Sequence, residues 1–295
     1  MHCFLFMTIL SSSIFIFESS SADLTIPPMT DSEPAAGKRV RVTSIEYKGS
    51  EVHHSLYLPS DWSAEKVAAG KKWPVIAEYT GNHFPKAGST GEVSGAGLGY
   101  GISRGNFISV VLPFIERDRS DNAIRWWGDE KLSVEYAKRN VPRICKQYGG
   151  DSDKVLLCGF SRGAIAVNYI GLHDDEIAKL WSGFMTHDHY DGVKTWGGTK
   201  WGSPLEAYQK AATERLLRIG ERPVLVCQNG TTAATEAFIK GKIPLDHFTF
   251  LTVNTQKILG VFPNKWAVHP HNDRWLLKES EEGDAVARWV ASATD

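Results

Sequence analysis

The sequence predicts an α/β fold: a mainly parallel, eight-stranded sheet flanked by helices on both faces. Three observations carry this. Short runs rich in Val, Ile, Leu and Phe alternate with longer stretches of helical spacing along residues 40–295. Several of these runs, such as 107–112 and 223–227, are strongly apolar, as strands covered on both faces are. The third is a chain of 295 residues that is 42% hydrophobic and 23% charged, enough to bury one large core and too ordered in composition for a disordered protein. Alternating strands and helices then require right-handed crossovers between parallel neighbours.

Residues 1–22 differ from the rest. Positions 4–10 and 14–17 are apolar, and Ser20-Ser21-Ala22 supplies small residues for cleavage, a pattern read as a signal peptide too short for a stable span. The expected location is therefore secreted or periplasmic, with no stable membrane association after cleavage. Residues 23–39, with Pro27, Pro28, Pro34 and Gly37, read as an irregular lead-in, and 40–295 as a single domain.

Within that domain, 40–47 and 53–58 read as a strand pair around Lys48-Gly49-Ser50, and 75–79 as a third strand opened by Trp73-Pro74. A glycine-rich passage over 88–105 reads as a flexible rim loop. It is not a dinucleotide fingerprint, because after Gly95 and Gly97 the third required glycine is Tyr100. Further strands are expected at 107–112, before Ser161, and over 180–186, 223–227 and 248–253. Helices are expected at 130–148, after Ser161, and over 203–219, 232–240 and 284–291.

Gly159-Phe160-Ser161-Arg162-Gly163 follows Val155-Leu156-Leu157 and precedes Ala164-Ile165-Ala166-Val167, so it sits on a strand–turn–helix. Glycines on either side let strand and helix approach closely. The turn holds Ser161 in a strained conformation with its hydroxyl presented beside the N–H groups of a helix start. That is the setting of a nucleophile.

This elbow, the order of elements and a late histidine resemble the α/β-hydrolase superfamily over roughly residues 40–295. The resemblance implies a serine hydrolase in which an imidazole in the loop after the last strand takes the serine proton. Within Ala267-Val268-His269-Pro270-His271-Asn272-Asp273, His271 is preferred because it directly precedes a helix start. His269, whose backbone is restricted by Pro270, is the alternative. The usual acid position, after the strand at 223–227, holds Gln228-Asn229-Gly230-Thr231-Thr232 and no carboxylate. The acid is expected at the end of the preceding strand instead, with Asp191 preferred over Asp188, and Glu236 as a third choice. The same likeness places oxyanion donors at the backbone N–H groups of Arg162 and Asn82. Trp126, Trp127, Trp196 and Trp201 fall in loops at the C-terminal edge of the sheet and are candidates for substrate contact.

Other function classes find little support. A net charge of −1, from 33 basic and 34 acidic residues, gives no pull toward nucleic acid. His187, Asp188, His189 and Asp191 contain an H-x-H without further matched ligands, so no metal is assigned and no cofactor is expected. Setting aside residues 1–22 with Cys3 leaves Cys145, Cys158 and Cys227, an odd number with two in expected core strands, which predicts no disulfide framework. The expected activity is cleavage of a carboxylic ester, small-molecule or glycan- or polymer-linked, through an acyl-enzyme. A peptidase of the same fold and a catalytically inactive binding protein are the alternatives.

Overall fold

A computed structural model describes residues 23–196, 199–260 and 269–295. The signal-peptide reading of residues 1–22 lies outside them. Among the described residues, nine strands form one sheet: β1 (Met29–Thr30), β2 (Arg39–Val42), β3 (His54–Tyr57), β4 (Trp73–Tyr79), β5 (Ile108–Leu112), β6 (Gly150–Phe160), β7 (Gly183–His187), β8 (Val224–Asn229) and β9 (Phe248–Val253). Their order is β1-β2-β3-β5-β4-β6-β7-β8-β9. Only β3 runs antiparallel to its neighbours; all other pairs are parallel. The ninth strand, β1, is the departure from the expected eight. It lies in the supposedly irregular lead-in, where Met29 and Thr30 pair with Arg39 and Val40.

The alternation of side chains along each strand builds two cores. Val75, Ala77, Tyr79, Val155, Leu157, Val224 and Val226 face one side with the helices Glu130–Tyr148, Arg162–Tyr169 and Leu205–Leu217. Ile76, Leu156, Cys158, Met185, Leu225 and Cys227 face the other, with the helices Leu98–Ser103 and Glu281–Thr294. Among the described residues, the thiols of Cys145, Cys158 and Cys227 are free and buried. Among the described residues, no helix is long and apolar enough to cross a membrane.

The glycine-rich passage is not simply a rim loop. Leu98–Ser103 is a buried helix. A Cβ at Gly101 would come within 2.7 Å of the Leu276 side chain, so glycine here is what permits the helix to settle on the second core. Its first N–H groups, of Leu98 and Gly99, donate to the carboxylate of Glu78 at 3.3 and 2.8 Å.

Glu78 is 1% exposed. Burial, with Asp273 as a like-charged neighbour, pushes its pKa up to about 7 in spite of those two donors. The folded protein therefore keeps this proton where the unfolded chain has released it, so stability falls as pH rises from about 4.5 through 7. Thermal unfolding measured from pH 5 to 8 is expected to show a declining Tm, and Glu78→Gln is expected to flatten that slope whatever it does to Tm itself.

Candidate active site

β6 ends at Phe160, and the helix Arg162–Tyr169 begins two residues later. Between them Ser161 adopts φ 56° and ψ −117°, a conformation that costs an L-residue about 1–3 kcal/mol. The surroundings impose it. A Cβ on Gly159 would lie 2.1 Å from the Gly163 carbonyl oxygen, and one on Gly163 would lie 1.8 Å from that of Tyr79. The Ser161 N–H donates to the His187 carbonyl at 2.9 Å, tying the elbow to the end of β7.

The Ser161 hydroxyl lies 2.8 Å from His271 Nε2. On the other side of the ring, His271 Nδ1 lies 2.8 Å from Asp188 Oδ2. The second Asp188 oxygen accepts the Asn229 N–H at 2.7 Å. Burial works to raise the Asp188 pKa. The positive influence of His187, the His271 hydrogen bond and the Asn229 donor outweigh it and bring the group down to about 2. Asp188 is thus an ionised acceptor at neutral pH. Like Ser161, it sits at positive φ (72°), which turns its side chain off the strand end and toward the ring.

Asp191, the preferred acid from sequence, is placed elsewhere. Its fully buried carboxylate receives Arg215 Nε at 2.7 Å and Nη2 at 3.1 Å, a two-pronged pair joining the loop after β7 to the helix Leu205–Leu217. Glu236 is exposed in the first turn of Ala233–Ile239. His269 does not face the hydroxyl. Its Nδ1 accepts the His271 N–H at 3.1 Å, so it shapes the turn that presents the other histidine, and its ring packs edge-on against Phe84.

As the first residue of its helix, Arg162 has no intrahelical carbonyl for its N–H, which therefore remains available at the elbow. The proposed partner, Asn82, is held from its side chain, where Oδ1 accepts the Trp126 N–H at 2.7 Å. Among the described residues its own N–H has no protein acceptor.

The four candidate tryptophans form one aromatic body, but they are not equivalent. Trp127 is 7% exposed and packs on Phe114 and Tyr169, so it belongs to the core and not to a substrate surface. Trp126 stacks on Trp201 (5.8 Å between centroids) and meets Trp196 edge-on (5.7 Å). All three are half-buried. His189, which sequence reasoning did not single out for this position, links this group to the reaction centre. Its ring lies 4.6 Å from Trp196 and 5.0 Å from His271. Burial, assisted by the nearby Lys194, lowers its pKa to about 3, so the ring is neutral beside His271. Among the described residues no group of His, Cys, Asp or Glu is arranged to hold a metal ion.

A nine-stranded, largely parallel sheet with a strained serine between β6 and its helix, and a histidine beyond the last strand, is the α/β-hydrolase fold. No protein-family model matches the sequence. Among solved structures, a thermostable esterase aligns with a TM-score of 0.47 and 13% identity over 86% of this chain, which spans 62% of that protein's length. DcsB, solved with its substrate analogue, aligns with a TM-score of 0.52 and 14% identity, covering 87% of this chain and 99% of the other. Esterase Est22, solved with p-nitrophenol, gives 0.52 and 11% identity over 87% of this chain and 80% of its own. The last two likenesses establish a shared fold.

Proposed function

We propose that this protein hydrolyses carboxylic esters through an acyl-enzyme on Ser161. The observation that carries the reading is the unbroken hydrogen-bond chain from Ser161 Oγ through His271 to Asp188. A hydroxyl is a weak nucleophile near neutral pH, so its proton must leave as the new C–O bond forms. His271 Nε2 is placed to accept it. Asp188 holds the Nδ1–H tautomer that leaves Nε2 free, and stabilises the cation that results. The carbonyl oxygen, now negative, would lie against the N–H groups of Arg162 and Asn82. His271 returns the proton to the leaving alcohol. The same ring then deprotonates water to release the acid and restore Ser161.

Asp188 supplies the carboxylate that is missing after β8, which weighs against a non-catalytic binding protein. An ester as substrate is in keeping with the esterase Est22, whose fold this chain shares. Trp126 and Trp196, with His189 between the latter and the reacting groups, offer a half-buried aromatic wall suited to a ring-bearing, glycan- or polymer-linked ester. The reading of residues 1–22 as an export signal fits such a substrate.

A fluorophosphonate probe is expected to label the protein once, at Ser161, and Ser161→Ala is expected to abolish labelling. Assays with p-nitrophenyl esters beside chromogenic peptides are expected to show turnover of the esters alone. Folded protein that takes up no label, or that cleaves only peptides, would overturn the proposal.

A further inference from the structure

The side chain that follows the nucleophile is unusual. Arg162 is 1% exposed, yet no carboxylate forms a salt bridge with it among the described residues. Its nearest acidic influences, Glu116 and Glu92, act only at a distance. Burial lowers its pKa to about 9, which still leaves a cation at neutral pH. A buried charge without a counter-ion costs several kcal/mol. A cation in the first turn of a helix also has the wrong sign for the helix dipole. Two local preferences are violated at one residue, and such conflicts concentrate where function requires them.

The contacts show what the guanidinium does. Nε faces the Thr80 carbonyl at 3.4 Å. Nη1 donates to the carbonyls of Ala123 (3.1 Å) and Trp126 (2.6 Å). Nη2 donates to Thr80 Oγ1 (2.9 Å) and to the carbonyls of Gly81 (3.0 Å) and Gly91 (3.3 Å). Its Cζ lies 4.1 Å from the centre of the Phe114 ring. One rigid fork thus gathers three separate segments, all through oxygens.

The bond to Gly81 has a particular consequence. Gly81 C=O and Asn82 N–H belong to the same planar trans peptide, so they point in opposite directions. Fixing the oxygen on the guanidinium fixes the direction of the N–H. Drawing electron density toward the oxygen also makes that N–H a stronger donor, as in any polarised hydrogen-bond chain. Asn82 is held a second time, because its Oδ1 receives the N–H of Trp126, whose carbonyl is itself on Arg162.

We propose that the Arg162 side chain is the positioning residue of the oxyanion site: it aims and polarises the Gly81–Asn82 peptide, and its unneutralised charge adds to the positive potential felt by the tetrahedral intermediate. This rests on the serine-hydrolase reading above.

The test compares Arg162→Gln and Arg162→Lys with wild type for kcat and KM on p-nitrophenyl acetate and for inhibition by phenylboronic acid, which forms an anionic tetrahedral adduct on the serine. Arg162→Gln is expected to lower kcat about 100-fold, with KM changed less than about threefold and boronate affinity falling in step with kcat. Arg162→Lys, which keeps the charge but not the fork, is expected to recover part of the loss. A folded Arg162→Gln with kcat near wild type overturns the inference. So does a fall in kcat without a fall in boronate affinity, the mark of a purely structural role. Should the arginine variants fail to fold, Thr80→Val withdraws one acceptor from Nη2 and is expected to lower kcat about fivefold at unchanged KM, with Thr80→Ser restoring it; wild-type kcat in Thr80→Val overturns the inference. Wild-type protein that neither labels nor turns over esters would instead remove the hydrolase reading itself.

Discussion

Asp188→Asn is expected to lower kcat for a p-nitrophenyl ester by about 10³–10⁴-fold while the protein remains folded. The amide is nearly the same shape, and its oxygen can still receive the Asn229 N–H that Asp188 Oδ1 accepts at 2.7 Å. What changes is the group facing His271 Nδ1 at 2.8 Å. An NH₂ there donates, so the ring must accept at Nδ1 and carry its proton on Nε2, the atom that has to receive the proton of Ser161. Stopped-flow or steady-state kinetics beside circular dichroism separates this from unfolding. The acid side of the stability profile should change as well. The carboxyl is held at about 2, below its ordinary 3.8, so it contributes stability that is present above about pH 4 and lost as pH falls toward 2. That loss, on the order of 2 kcal/mol, is expected to be missing in the asparagine variant.

Asp191→Asn, three residues along, is expected to do the opposite. Its carboxylate is fully buried and its two oxygens occupy the guanidinium of Arg215, itself mostly buried and lying over the ring of Tyr169. Removing one partner leaves a desolvated cation unpaired, at a cost of about 3–5 kcal/mol. For a chain of this size, that lowers Tm on the order of 10 °C. The reacting groups are untouched, so kcat of the protein that remains folded is expected to stay within severalfold of wild type. Replacing both partners with apolar residues is expected to restore much of the stability, since neither charge is then left stranded. Thermal denaturation of the two single variants and the double variant measures this directly.

These two aspartates also mark where sequence reasoning stops. The serine was legible because its requirements are local: a strand, two glycines that keep Cβ atoms out of a crowded turn, and a helix. The nearness of His271 to that serine was legible from chain order. Which carboxylate faces the ring was not, because Asp188 and Asp191 both lie just beyond one strand, and sequence does not reveal their backbone angles. Asp188 turns inward through a positive φ that Asp adopts more readily than most residues. Asp191 is claimed by an arginine 24 positions later, a contact that no local pattern announces. The strands were recovered well because covered parallel strands are largely apolar. The two-residue β1 was too short to have a periodicity. The helix Leu98–Ser103 was hidden by glycines that ordinarily disfavour helices and here are needed for packing. Trp127 and Trp126 are adjacent in sequence and alike in chemistry, so only three dimensions distinguish core from wall.

The elbow of β6 is hydrogen-bonded to the last residue of β7, and Asp188, the carboxylate facing His271, follows that residue directly. Trp196 lies further along the same connection as Asp188, and Trp126 is bonded to both Asn82 and Arg162. The aromatic wall and the proposed reaction centre are therefore built on shared backbone. On the proposed reading, a transplant of the stretch around Trp196 would disturb the acid along with the choice of ester, whereas single side-chain replacements at Trp196 would spare it.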